Sequence, residues 1–187
     1  MVKGMKVGRP SFEKMFASVF LDSVSVNYAQ AHVLGEVYEA DEDHDGKLIL
    51  RVRRQLPKGV STAKICFARP LQKSMSLGHA YNLAMDYGLR PAVHHEVVAS
   101  LQVASSSQVG QMFDLADQAM LEHGHEQKAH ALSIACMGSA VTGKTAELIP
   151  VQEVIRSCGQ ACRVHLRKFD FDAPLFPAQS MAFVSAE

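Results

Sequence analysis

Residues 31–56 read AHVLGEVYEADEDHDGKLILRVRRQL, and this stretch decides the fold class. Two strand-like runs, 31–40 and 47–56, flank an acidic connection that ends in Asp45-Gly46. An Asp-Gly pair accepts the positive φ that short hairpin turns need, so the pattern predicts an antiparallel β-hairpin. Alternation along its second strand puts Leu48, Leu50 and Val52 on one face and Ile49, Arg51 and Arg53 on the other.

Working outward, Thr62 to Arg69 reads as a third strand, after the breaker Pro57-Lys58-Gly59. On the N-terminal side Phe12, Met15, Phe16, Val19 and Phe20 recur at i, i+3, i+4, i+7 and i+8 behind a Ser11 cap, which predicts a helix. On the C-terminal side the elements alternate. A helix over 76–87 stops at Gly88 and Pro91, a strand follows over 92–104, a helix over 107–123 stops at Gly124, and a strand covers 129–137. Ser105 to Ser107 is expected to cap the second of these helices. A short helix over 151–158 follows Pro150, and a strand spans 162–171. Residues 172–187, which contain Pro174 and Pro177, are expected to form an extended C-terminal arm. Together these elements predict one α+β domain over residues 1–187: a mixed sheet with an antiparallel N-terminal hairpin, packed against three or four helices.

With 48% hydrophobic and 20% charged residues, the 187-residue chain has the composition of a globular protein rather than a disordered one. No apolar run has the length of a signal peptide or a membrane span, so a cytoplasmic protein without membrane contact is expected. Cys66, Cys136, Cys158 and Cys162 are too sparse for a disulfide scaffold and are expected to be free thiols.

The nineteen basic and nineteen acidic residues cancel, yet they are sorted along the chain. Six carboxylates and no base lie between Glu36 and Asp45, whereas Lys47 to Lys73 holds eight bases and no acid. A second stretch, Val154 to Phe169, carries Arg156, Arg163, Arg167 and Lys168 without an acid. Because field follows local arrangement, a neutral protein can still present a positive surface. In the strand over 162–171, Arg163, His165, Arg167 and Phe169 share one side. If that strand and the hairpin belong to one sheet, Arg51, Arg53, Arg163, Arg167 and Phe169 would join guanidinium groups to an aromatic ring, the combination that tracks phosphates and stacks bases. The expectation is a non-enzymatic accessory protein that binds nucleic acid or another polyanion. The alternative is a solvated face whose arginines pair across the hairpin with Glu36 and Glu39. A sequence pI near 7.1 is low for a nucleic-acid binder, and zinc-finger, ribonucleoprotein and KH signatures are missing.

Gly138-Ser139-Ala140-Val141-Thr142-Gly143-Lys144-Thr145 has the spacing Gly-x4-Gly-Lys-Ser/Thr behind a strand, and it resembles the Walker A motif of P-loop nucleotide hydrolases. The resemblance implies loop amides around phosphates, with Gly138 and Gly143 shaping the loop, Lys144 on the terminal phosphates and Thr145 on magnesium. Against it, Pro150 falls within two turns of the helix that should begin at Gly143, and no apolar strand ending in Asp is present for the metal.

Other chemistry finds weaker footing. Asp41-x-Asp43-x-Asp45-Gly46 matches the opening of a calcium loop, but Val52 stands where the bidentate glutamate belongs. His94, His95, His123, His125 and His130 lie near Glu96, Glu122 and Glu126; the pair around Gly124 reads as helix-end caps, and adjacent histidines on a strand point apart. Cys158, Cys162 and His165 lack a second ligand pair, so no metal or other cofactor is expected. No serine elbow exists, and behind Cys136 a Thr142 replaces the arginine of phosphatase-type loops, so no catalytic residue is assigned. A third reading is an assembly subunit that self-associates or docks to a protein partner through Leu175, Phe176 and Phe183.

Overall fold

The last strand of the chain occupies the middle of the main sheet. The computed structural model describes residues 10–28, 37–42, 48–54, 59–129, 132–136, 145–156, 167–170 and 172–185. In chain order the elements are α1 (Phe12–Met15), β1 (Phe16–Asn27), β2 (Val37–Glu42), β3 (Leu48–Arg54), β4 (Val60–Pro70), α2 (Leu77–Met85), β5 (Leu89–Pro91), α3 (His94–Val103), α4 (Ser106–Glu122), β6 (Ser133–Cys136), β7 (Thr145–Pro150), α5 (Val151–Arg156), β8 (Arg167–Asp170) and β9 (Gln179–Ser185). Strands β1, β4, β9, β6, β7 and β8 lie side by side in that order, and β5 is a further partner of β9. The β2–β3 hairpin forms a separate two-stranded sheet. The β6–β9 pairing is parallel and the others are antiparallel, so the sheet is mixed and the fold is α+β.

On one side of β9, Met181 to Val184 face Ala68 to Ile65 of β4. On the other side, Gln179 to Met181 run beside β6 and Phe183 to Ser185 beside β5. Met181, Ala182 and Phe183 are fully buried. The arm expected over 172–187 is therefore corrected. Pro174 and Pro177 precede the strand and stay out of its ladder, while the apolar run Met181 to Val184 has both faces covered, as a central strand requires.

The helix expected from Phe12 to Phe20 is also corrected: it lasts one turn, and from Phe16 the chain is a strand paired to β4. Phe12 still stacks on Phe16, with ring centroids 4.8 Å apart, so the aromatic spacing is used at the junction of the two elements. Beyond it the period is two. Val19 and Leu21 point inward, and Val24, Val26 and Tyr28 do so again after one inserted residue. Leu21 lies opposite Ile65 and Val24 opposite Ala63, so Asp22 and Ser23 together oppose Lys64. This is a β-bulge, with Ser23 at φ 59°, and it flips the inward parity of the strand.

The α3 helix replaces the strand expected over 92–104. Its buried residues Glu96, Val97, Ser100 and Leu101 are spaced for a helix, and its valine content imitates a strand only when read without that spacing. Helices α2 and α4 form where the sequence predicts them. Ser76 accepts from His79 N at the start of α2, and Ser105 and Gln108 exchange two hydrogen bonds, of 3.2 and 2.9 Å, at the start of α4. Helices α3 and α4 pack over β1, while Tyr81 of α2 meets Phe183 of β9 from the opposite face, with centroids 5.5 Å apart.

Two predictions follow from this architecture. Deleting Ser23 leaves Asp22 alone opposite Lys64 and Val24 still opposite Ala63, so the chain should stay folded, whereas deleting both Asp22 and Ser23 turns Val24, Val26 and Tyr28 toward solvent, at about 1.5–3 kcal/mol for each side chain, enough to unfold a protein stable by roughly 5–15 kcal/mol. Ser23→Gly instead relieves the left-handed residue and holds or raises the melting temperature, which thermal denaturation monitored by circular dichroism measures. A chain ending at Ala178 should lose its cooperative transition in the same experiment, since β4 and β6 then have no strand between them.

Candidate functional site

The hairpin brings acids and bases to defined rungs. Glu39 of β2 lies opposite Arg51 of β3, Asp41 opposite Ile49 and Glu42 opposite Leu48. Nearer the open end Tyr38 lies opposite Val52 and Val37 opposite Arg54, and the register shift between these rungs leaves Arg53 without a partner position. Arg51 thus has a carboxylate across the ladder, as the solvated-face alternative requires, whereas Arg53 and Arg54 have none. Glu36 lies outside the described residues.

Arg167 and Phe169 stand on β8, opposite Leu148 and Ala146 of β7. Arg163 and His165 fall outside the described residues. The shared basic face expected from the sequence is corrected. The β3 strand pairs with β2 in the small sheet and β8 pairs with β7 at the edge of the main one, so the two arginine rows are not on one sheet. Alternation within a strand was readable from the sequence; which strands are neighbours was not.

Of the phosphate-loop residues, Gly138, Gly143 and Lys144 lie outside the described residues. Thr145 opens β7, an antiparallel neighbour of β6. A Walker A threonine opens a helix that crosses to a parallel strand, so the strand–loop–helix unit is not formed. The chain here favours a strand because Pro150 would break a helix two turns in.

The acidic calcium-loop match begins at Asp41 on a hairpin strand, and Asp43 and Asp45 lie outside the described residues. His94 and His95 are corrected from a strand to the first turn of α3, where their rings sit 5.7 Å apart. His123 caps α4, with Nδ1 2.8 Å from the Ala119 carbonyl oxygen. Among the described residues no group of three metal-ligating side chains converges, and no helix is long and apolar enough to cross a membrane. Among the described residues Cys66 and Cys136 form no disulfide, and both are fully buried; burial pushes the Cys66 thiol up to about 12, so it is a poor nucleophile. Phe183 is core and cannot dock a partner, whereas Phe176 is exposed and Leu175 partly buried.

The densest polar cluster was not read from the sequence. Glu96 of α3 is fully buried, and each of its oxygens accepts two hydrogen bonds. Oε1 takes Arg90 Nη2 and the Tyr28 hydroxyl, both at 2.6 Å; Oε2 takes Arg90 Nη1 and Val93 N, both at 2.9 Å. Burial, followed by the Glu96 charge, holds the Tyr28 hydroxyl above its usual range, so it remains a donor. Burial works against the Arg90 cation, but the hydrogen bonds and charge of Glu96 outweigh it and the guanidinium is held charged. With every acceptor position occupied this constellation has no capacity for a substrate. It is a clamp joining β1, β5 and α3. The available signal was Glu96 three residues after Val93, half of a capping box.

Glu96→Gln leaves Arg90 as an uncompensated buried cation and should cost about 3–5 kcal/mol in urea denaturation. Tyr28→Phe removes one donor to a charged acceptor and should cost about 1.5–3 kcal/mol. Comparison of the chain with protein families, curated proteins and solved structures finds no match, so the reading of function rests on its own residues.

Proposed function

We propose that the chain is a non-enzymatic binding protein that engages a polyanion, nucleic acid in the first instance, through the open end of the β2–β3 hairpin. One observation carries this reading: in a ladder where Arg51 lies opposite Glu39, Arg54 lies opposite Val37 and Arg53 has no partner position. A guanidinium group at a rung with no acid across from it is suited to phosphate oxygens, which it holds by charge and by paired donors. Phe169 lies on the other sheet, so recognition is of backbone charge and not of stacked bases. The hairpin packs on α2 and β5, which supports it, since a two-stranded sheet alone is marginally stable.

Fluorescence anisotropy of a labelled single-stranded oligonucleotide against the full chain tests this. Affinity should fall with salt at a log–log slope of about −0.7 for each phosphate neutralised. Arg53→Ala with Arg54→Ala should make that slope shallower by roughly 1.4 and weaken binding, while Arg167→Ala changes neither. No retention at low salt, or an unaltered slope in the double variant, overturns the reading.

A further inference from the structure

Helices α3 and α4 part at their junction. The last turn of α3 is followed by Ala104 in an extended conformation, and α4 begins two residues later behind the Ser105 cap. The short helix α5, which follows β7 directly, packs on α3. Between the end of α3, the start of α4 and α5 lies a cavity of about 660 Å³ that opens to solvent. Its floor is Leu101 and Val154, both buried, and its walls are Ala104, Val109 and Ile155.

Size and lining limit what can enter. The volume falls within the roughly 300–1,000 Å³ of sites that hold small organic molecules, and an apolar cavity of about 150 Å³ already takes a benzene. Among the described residues no charged side chain lines it. An ion carried to its floor would lose its water without gaining a partner, so a charged body is disfavoured. A hydrocarbon body instead releases the water that lies against Leu101 and Val154, and that release drives binding. The polar groups are the Gln102 amide and the Ser106 hydroxyl at the mouth, where both residues are exposed and can donate or accept. The start of α4 offers an anion little, because Ser105 Oγ already accepts from Gln108 N at 3.2 Å and Ser105 N already donates to Gln108 Oε1 at 2.9 Å.

We propose that this cavity binds a small uncharged apolar molecule, its hydrocarbon body against Leu101, Val109 and Val154 and one hydroxyl or carbonyl group at the mouth with Gln102 or Ser106. All of these residues belong to α3, α4 and α5 and none to the hairpin, so the site does not depend on how the hairpin is used.

The probe is N-phenyl-1-naphthylamine, an uncharged dye that fluoresces in apolar surroundings, and the chain contains no tryptophan to interfere. Titrated against the full chain, the dye should saturate at one molecule per chain. 1-Octanol should displace it, whereas octanoate, the same hydrocarbon chain with a carboxylate, should need a concentration roughly tenfold higher or more. Ala104→Trp with Val109→Trp places two indole rings in the cavity and should weaken the dye by about tenfold or more, with a cooperative thermal melt retained. No saturable binding, displacement by octanol and octanoate at equal concentrations, or an unchanged dye affinity in the double variant overturns the proposal. Should the double variant fail to fold, Ala104→Trp alone takes its place: a weakening of about threefold or more supports the site, and a smaller change refutes it. Light scattering on the same solutions reports the other occupant, since a dimer that takes up no dye means that a second copy covers the cavity, which also overturns the proposal.

Discussion

The main sheet is held together through β9. On one side lies the antiparallel pair β1–β4, and on the other the antiparallel series β6–β7–β8. Neither group has a ladder to the other except through the strand Gln179–Ser185, which hydrogen-bonds to both and carries β5 as well. Its residues sit under two covers: Phe183 meets Phe16 and Tyr81 on the α2 side, while Ala182 and Val184 lie toward α3 and α4. The chain therefore completes its core only when its last strand arrives. Such contacts are long-range, and long-range pairing must overcome loop-closure entropy before it is rewarded.

Once β9 is in place, two local devices bring distant segments onto one face. The bulge at Asp22 and Ser23 restores the inward direction of Val24, Val26 and Tyr28 after Leu21, and so carries the Tyr28 hydroxyl to Glu96. Arg90 lies opposite Val184 of β9 and reaches the same carboxylate. A fully satisfied buried ion pair adds less stability than its short distances imply, because desolvation offsets most of the attraction. Its contribution is specificity: a register slip in β1 or a rotation of α3 would strand a charge. The bulge and the clamp thus enforce each other.

These relations explain which parts of the sequence were legible. Helix α4 announces itself because Ser105 and Gln108 form a capping box and Met112, Ala116 and Ala119 repeat on one side. The hairpin is equally clear from Asp45-Gly46 and alternation. The β1 strand was misread because Phe12, Met15 and Phe16 open with a helical spacing and the bulge then breaks the period of two at the point where it would have corrected that impression. The α3 helix was misread because Val97, Val98 and Val103 favour strands intrinsically, a preference that packing of Val97 and Leu101 against the sheet overrides. The β9 strand was read as an arm because prolines just before a strand look like those of a tail. In each case the deciding information is a neighbour far away in sequence.

Charge sorting follows the same logic at the level of function. A run of bases in the sequence says nothing about which of them reach water together. Arg51 is opposed by a glutamate, Arg53 and Arg54 are not, and Lys64 is bound 3.0 Å from Asp22. Arg69 goes inward, where hydration no longer screens its charge. An exposed arginine can be retained for solubility alone, because water satisfies it at little cost. Arg69 has no such explanation. A methionine in its place would fill the layer under α4 without the desolvation penalty, so the cation is retained against the interest of stability. The Glu122 charge on α4 offsets part of that cost.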